Sequence, residues 1–126
     1  DNRMLFLEEA MKKDVSQSLQ HRFIPYLQLH EFEALLFINL QIFYEQVPKS
    51  DLVGIEELEK TFTQYSNPEM INNSQSTSPG HRLERIIKGY KKPLYGHYFT
   101  EAIGIQRIRE KCPRFNYWIE TLISIR

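Results

Sequence analysis

The stretch RFIPYLQLHEFEALLF, residues 22–37, is the most hydrophobic passage of the chain, and it has a histidine and two glutamates in its middle, His30, Glu31 and Glu33. Ten of its sixteen residues are apolar or aromatic, so we expect the segment to be buried. A buried carboxylate costs roughly several kcal/mol unless it is paired or ligated. Each glutamate is therefore expected to have either a partner in the fold or a role in function.

Length and composition set limits on the answer. A chain of 126 residues with 41% hydrophobic content is long enough for one core, so we predict a single domain over residues 1–126. The single cysteine, Cys112, excludes an internal disulfide and favours the cytoplasm. No apolar run approaches the roughly 18 residues that cross a bilayer, so no membrane association is predicted. The chain begins at Asp1 and enters a helical pattern at once, which suggests the remainder of a longer protein.

Charge is distributed unevenly along the chain, although 16 basic and 16 acidic residues cancel overall. Residues 1–75 contain 12 acids and 6 bases, whereas residues 76–126 contain 4 acids and 10 bases. One interpretation is two faces of opposite potential, the basic one able to meet phosphate. The alternative is that the two halves simply attract each other on folding.

The hydrophobic pattern predicts a mostly helical α+β fold. Apolar residues at steps of three and four predict a helix from about residue 2 to 19. Residues 22–29 are β-branched and aromatic on both faces and predict a buried strand, and Pro25 favours an edge position. A short helix is predicted from His30 to Phe37. Because one strand cannot make a sheet, its partner strands are expected either in a stretch read as helix or outside these residues.

The rest of the chain reads as helices with one polar loop. The loop covers residues 66–80 and includes a possible helical turn at NPEMI. A loop of this length in a small domain is usually either functional or disordered. Gly89 and Gly104 are predicted helix ends, and Pro113 is predicted in a first turn. The predicted helices cover residues 39–48, 54–65, 80–90, 93–104, 105–112 and 113–125.

The HEFE motif supplies the first candidate site. On a helix at 100° per residue, Glu31 and Glu33 would point about 160° apart, whereas His30 and Glu33 would share a face. Glu33 has the buried side chains Leu36 and Phe37 one turn on, so it is the candidate metal ligand or catalytic acid, with Glu31 and His30 as candidate catalytic neighbours. The alternative is that Glu33 only complements the first turn of its helix and that His30 is a hydrogen-bonded core residue.

The sequence HRLERIIKGYKK supplies the second candidate site. On a continuous helix the cationic side chains fall opposite the apolar ones, and nearby aromatic residues could stack on bases. The alternative is the solvated face of an ordinary amphipathic helix. The candidate nucleic-acid-binding residues are Arg82, Arg85, Lys88, Lys91 and Lys92.

Three stretches together resemble the bacterial family called domain of unknown function 4276: RFIPYLQLHEFEALLF, INNSQSTSPGHRLERIIKGYKKPLYG and EAIGIQRIREKCPRFNYWIETL. The resemblance implies that the chain is the C-terminal portion of a Toprim-like α/β fold, here with one or two short strands. It also implies a phage-defence setting beside an ABC-class ATPase. Complete members begin with an acidic EG motif and add an aspartate motif, and Toprim folds use such acids to hold Mg²⁺. This chain contains neither an EG pair nor Asp-x-Asp.

The resemblance therefore implies a function for the complete protein. Its HEFEA glutamate, Glu33, resembles the FE pair of related Toprim-like defence proteins, and it would complete or buttress a Mg²⁺ site whose other ligands lie upstream. The expected activity is metal-assisted hydrolysis of DNA or RNA, with the ATPase as partner, and the chain alone is expected to be inactive. The alternative is a non-catalytic interaction domain that docks on the ATPase.

Overall fold

The computed structural model describes residues 2–72 and 74–125, and within these ranges the chain forms seven α-helices and three short 3-10 helices. The 3-10 helices are Gln20–Arg22, Phe32–Leu36 and Pro68–Met70. The α-helices are α1 (Asn2–Asp14), α2 (Leu40–Gln46), α3 (Ile55–Gln64), α4 (Pro79–Ile86), α5 (Lys92–Ile103), α6 (Ile105–Lys111) and α7 (Pro113–Ile123). None of the helices in the described ranges combines the length and apolarity that a bilayer crossing requires.

The prediction of a mostly helical chain is confirmed, with corrections at helix ends. Gly104, with φ of +75°, ends α5 as predicted, because glycine reaches this left-handed conformation without steric cost. The helix predicted over residues 2–19 ends at Asp14, where Ser16 and Ser18 follow, residues that favour turns over a helix interior. The helix predicted over 80–90 ends at Ile86, because the next residue joins a backbone bridge.

That bridge is the only β-pairing in the described part of the chain, and it joins Leu52 and Ile87 in antiparallel orientation. Beside it, the carbonyl of Ile86 accepts hydrogen bonds from the N–H groups of Val53 and Gly54, both at 3.0 Å. A Cβ on Gly54 would lie 2.6 Å from the Cα of Ile86, so this close backbone approach requires glycine.

The predicted strand at residues 22–29 is wrong. After the turn at Gln20–Arg22, Phe23 has extended backbone geometry and residues 24–28 form no regular secondary structure. Side chains rather than a neighbouring strand bind the backbone of residues 23–28, which we call the extended segment. Glu8 of α1 accepts the N–H of Leu27 at 2.7 Å. From α7, Arg114 donates to the carbonyl of Leu27 at 3.1 Å and Trp118 donates to the carbonyl of Ile24 at 3.3 Å. These bonds satisfy polar backbone groups that a sheet would otherwise pair.

The hydrophobic core is continuous from the Phe32–Leu36 turn to α6. Phe43 of α2 and Phe99 of α5 are fully buried at its centre, with ring centroids 4.6 Å apart. Leu58 of α3 and Leu83 of α4 are also fully buried and belong to the same hydrophobic cluster. By contrast α1 and α7 have no buried residue, so both helices lie on the outside of the fold, where they contact the extended segment. The core thus fixes the turn that bears HEFE against the N-termini of α4 and α5.

Candidate acidic site

Glu31 and Glu33 converge on the N-terminus of α4, contrary to the prediction that they point apart. Oε2 of Glu31 accepts the N–H of Gly80 at 2.7 Å. A Cβ built on Gly80 would lie 2.9 Å from this oxygen and 3.4 Å from Oε1 of Glu33. The two oxygens are therefore no more than 6.3 Å apart, the sum of those distances.

The prediction failed because HEFE does not form one regular helix. Glu31 is extended, with φ of −69° and ψ of 154°, and precedes the 3-10 helix Phe32–Leu36 as its N-cap. In an extended backbone, residues two apart face the same side, so the helical angle of 160° does not apply. The absence of a side chain at Gly80 leaves room for both carboxylates.

Burial separates the two carboxylates. Glu33 is only 4% exposed, whereas Glu31 is intermediate. Nζ of Lys92, the first residue of α5, lies 2.9 Å from Oε2 of Glu33 and forms an ion pair with it. The orientation of this contact still leaves Oε2 without a hydrogen bond from any described residue. The sequence led us to expect a partner or a functional role for each glutamate. Glu31 has the N–H of Gly80 as its partner and Glu33 has Lys92, although Oε2 of Glu33 accepts no hydrogen bond from a described residue.

Tyr90 lies within electrostatic reach of both glutamates. Burial raises the pKa of its phenol well above the usual range, and the negative charges of Glu33, Glu84 and Glu31 raise it further. Tyr90 therefore stays a neutral hydrogen-bond donor at physiological pH, yet within the described ranges its hydroxyl has no partner. We name Glu31, Glu33, Tyr90 and Lys92 the acidic site.

His30 lies at the edge of the acidic site rather than beside Glu33. Burial lowers the pKa of its imidazole, the charge of Arg3 lowers it further, and the charge of Glu31 acts in the opposite direction. His30 is therefore neutral at pH 7. Its Nδ1 is buried without a hydrogen-bond partner in the described part of the chain, so the assumption of a hydrogen-bonded core histidine is not met at that atom.

The acidic site offers few ligands for a metal on its own. Among residues 2–72 and 74–125, no group of three or more His, Cys, Asp or Glu side chains is placed to hold a metal ion. Mg²⁺ is nevertheless commonly bound through one or two carboxylates, with waters and substrate phosphates as the other ligands. The convergent pair with one buried oxygen free of hydrogen bonds fits such a partial set, and Glu31 and Glu33 are the residues that would hold the ion.

The five candidate nucleic-acid-binding residues do not form a single stripe. Arg82 is buried, with Nε donating to the carbonyl of Thr77 at 2.7 Å and its guanidinium lying over the Tyr65 ring. Arg85 is bound to Glu57, with Nε donating to Oε2 at 3.0 Å. The prediction of one continuous stripe was wrong because α4 ends before Lys88. The helical spacing therefore does not continue through the three lysines. Lys88, Lys91 and Lys92 are exposed.

A second buried glutamate was not anticipated from sequence. Glu69, in the Pro68–Met70 turn, is 2% exposed and accepts the N–H groups of Arg114 and Phe115, both at 3.0 Å. It thereby binds the first turn of α7 from a loop 45 residues upstream. Burial and the charge of Glu69 raise the pKa of the nearby Cys112 thiol to about 12, so this thiol is unreactive.

A groove of about 550 Å³ lies between α1, the extended segment and α7. Tyr26 stacks on Trp118 in it, with ring centroids 5.2 Å apart. Arg114 joins the groove walls by pairing with Glu8 at 2.6 Å and by lying over the Tyr26 ring. Two of the charged groups of the groove, those of Glu8 and Arg114, are thus engaged with each other.

The fold and the site together define a helical domain that presents a pair of carboxylates at a helix N-terminus. The chain belongs to the family described as domain of unknown function (DUF4276), whose sequence profile matches residues 1–123. The resemblance of the three motifs to this family is therefore confirmed. No curated protein and no solved structure gives a significant match to the chain.

Proposed function

We propose that this chain contributes the Glu31–Glu33 pair to a Toprim-like, Mg²⁺-dependent nuclease that acts in bacterial antiphage defence. The observation that carries the proposal is the convergence of the two carboxylates at Gly80, with Oε2 of Glu33 buried and free of hydrogen bonds from the described residues. The defence setting and the ABC-class ATPase partner rest on the family resemblance alone, and the cytoplasmic location rests on the single cysteine of the chain.

In this proposal, each residue of the acidic site has a separate role in phosphodiester hydrolysis. Bound Mg²⁺ supplies an activated water and charge stabilisation for the departing oxygen. The carboxylates of Glu33 and Glu31 create a region of negative charge beside the N-terminus of α4. The N–H of Gly80 orients the carboxylate of Glu31 through a hydrogen bond. Lys92 is placed to meet a phosphate oxygen, because its side chain is 58% exposed and reaches the site from the surface. Neutral His30 can accept a proton at the edge of the site.

The direct test is cleavage of plasmid, single-stranded DNA and RNA with Mg²⁺ or Mn²⁺. The assay compares residues 1–126 with the longest natural polypeptide that includes them. We expect the longer polypeptide to cut and residues 1–126 alone to be inactive, since two carboxylates supply too few ligands for two hard cations. Robust cutting by residues 1–126 would show that the chain needs no further acids. No cutting by the longer polypeptide with any substrate would contradict the nuclease proposal.

The second candidate function is a non-catalytic domain that docks on the ATPase. The observation that favours it is the exposure of apolar side chains on the outer helices, such as Phe6 at 73% and Tyr117 at 71%. Contiguous exposed apolar residues are typical of interaction surfaces, and the exposed Phe6 and Leu7 of α1 line one pocket. If this function holds, Phe6→Ser and Tyr117→Ser should abolish co-purification with the ATPase, and the acidic-site variants should not.

Nucleic-acid binding makes a prediction that separates the exposed lysines from Arg82. For a labelled duplex, the salt slope of binding should fall by roughly two units in Lys88→Ala/Lys91→Ala, because each lost phosphate contact removes about one unit. Arg82→Ala should leave the slope unchanged and instead lower the free energy of unfolding by about 2 kcal/mol, since it loses two hydrogen bonds within the fold. Fluorescence anisotropy against salt and urea denaturation measure the two effects. If Arg82→Ala changes the slope as much as the double lysine variant, this assignment is wrong.

A further inference from the structure

We propose that Lys92 is a stand-in cation in the acidic site, whose ammonium group occupies the cation position at Glu33 and leaves it when Mg²⁺ binds. This inference rests on the proposed function and goes beyond it, because it assigns to the chain a built-in competitor for the metal. Released from Glu33, the same ammonium would become available to a phosphate oxygen of the substrate.

The two partners of the ion pair differ sharply in burial. The side chain of Glu33 is 5% exposed, whereas that of Lys92 is 58% exposed. Glu33 is held by the core, since Ala34, Leu35 and Leu36 after it are all buried. Lys92 reaches inward from the surface and can withdraw its head group into water by rotamer changes alone. The carboxylate is therefore the fixed part of the pair and the ammonium the exchangeable part.

The hydrogen bonding around Glu33 is that of an unfinished site. In native proteins buried polar atoms are nearly always hydrogen-bonded. Here two such atoms, Oε2 of Glu33 and the hydroxyl of Tyr90, have no hydrogen-bond partner among the described residues. An ammonium group with three donors lies 2.9 Å from Oε2 without making a directed hydrogen bond.

The charge balance also leaves room for a stronger cation. Glu31 and Glu33 bring two negative charges to one place, and Lys92 neutralises one of them. A divalent ion that takes the place of the ammonium would balance both carboxylates, and the lysine would then carry its charge toward an anion. Metal and lysine therefore compete for the same oxygen, and this competition is measurable without any enzymatic reaction.

The experiment is a titration of the 126-residue chain with Mg²⁺ by isothermal titration calorimetry. Lys92→Met removes the competing charge and should tighten Mg²⁺ binding by about tenfold, which corresponds to about 1.4 kcal/mol. Lys92→Arg should weaken it, because a guanidinium pairs with a carboxylate through two parallel hydrogen bonds. The matched control is Lys91→Met, which changes the same charge at the adjacent exposed residue and should alter the affinity by less than about twofold.

Glu33→Gln is included to assign the heat to this site, and it should remove the Mg²⁺ signal. If Lys92→Met does not fold, as judged by circular dichroism, the weaker binding expected of Lys92→Arg decides the matter. Equal Mg²⁺ affinity in the wild type and in both Lys92 variants would overturn the stand-in role and leave the proposed function intact. No Mg²⁺ binding by the wild type or any Lys92 variant would also overturn the stand-in role, whereas the proposed function is decided separately, by cleavage with the longer natural polypeptide.

Discussion

Replacing Glu69 with alanine should lower the free energy of unfolding by about 2–4 kcal/mol, the largest stability effect that we expect from a single polar residue of this chain. The glutamate is almost fully buried and binds two N–H groups of the first turn of α7. Alanine would leave both donors, at Arg114 and Phe115, part-buried and without this acceptor. It would also remove a negative charge from the positive end of the α7 dipole.

Two further variants test the cause of this loss. Glu69→Gln keeps one acceptor oxygen and should cost about half as much as alanine. Glu101→Ala removes an exposed glutamate that pairs with His97 and should change the stability by less than about 0.5 kcal/mol. Urea denaturation followed by far-ultraviolet circular dichroism gives the free energies, and Trp118 fluorescence reports on α7. Equal effects of Glu69→Ala and Glu101→Ala would show that the capping contact does not stabilise the fold.

Glu69 also shows where sequence reasoning reached its limit. The motif NPEMI correctly predicted a helical turn, because Asn67 caps it locally by accepting the N–H of Glu69 at 2.9 Å. Nothing local indicates that the same glutamate binds a helix 45 residues further along. A polar residue in a polar loop gives no signal of burial. Contacts between residues distant in sequence are the part of the fold that local propensity and periodicity do not contain.

The prediction of a strand at residues 22–29 was wrong for a related reason. Alternating apolar side chains predict an extended backbone, and that much is confirmed around Phe23, whose φ is −100° and ψ 112°. The pattern does not specify what pairs with the backbone. In this fold Glu8, Arg114 and Trp118 provide those bonds from two helices. The helices α2, α3, α5, α6 and α7, by contrast, were predictable because their ends follow from local glycine, proline and capping residues.

The candidate site was found in the correct motif but with the wrong geometry. Glu33 was selected as a candidate because a carboxylate within an apolar run is costly to bury unless it is paired or ligated. The structure shows that Glu33 is buried. Its relation to Glu31 was predicted from an ideal helix, and the extended residue at the motif start reverses that relation. Gly80 and Lys92 come from other parts of the chain, so only the three-dimensional fold brings them to the pair.

Glu33→Gln should abolish cleavage by the longer natural polypeptide while leaving the chain folded. Loss of a metal-holding carboxylate removes several kcal/mol of transition-state stabilisation, so the rate should fall by about 100-fold or more. The free energy of unfolding should change by about 1 kcal/mol or less, because glutamine keeps the shape and an acceptor. Lys92, mostly exposed, can then extend its ammonium into water.

The sign of that small stability change carries information of its own. The buried carboxylate of Glu33 is compensated only by an ion pair without a directed hydrogen bond from the described residues. If desolvation of this charge outweighs its attraction to Lys92, glutamine should be neutral or stabilising, since it removes a poorly compensated buried charge. If the ion pair dominates, glutamine should be slightly destabilising. Chemical denaturation of the wild type and Glu33→Gln distinguishes the two cases.

The control for the activity measurement is Glu56→Gln, an exposed glutamate in the first turn of α3. It makes the same chemical change away from the acidic site and should leave the cleavage rate unchanged. Full activity of Glu33→Gln would make this carboxylate architectural, with its charge serving only to pair with Lys92. Loss of activity together with loss of folding would point the same way. Loss of activity in a stable protein, with Glu56→Gln active, is the result that only a functional carboxylate explains.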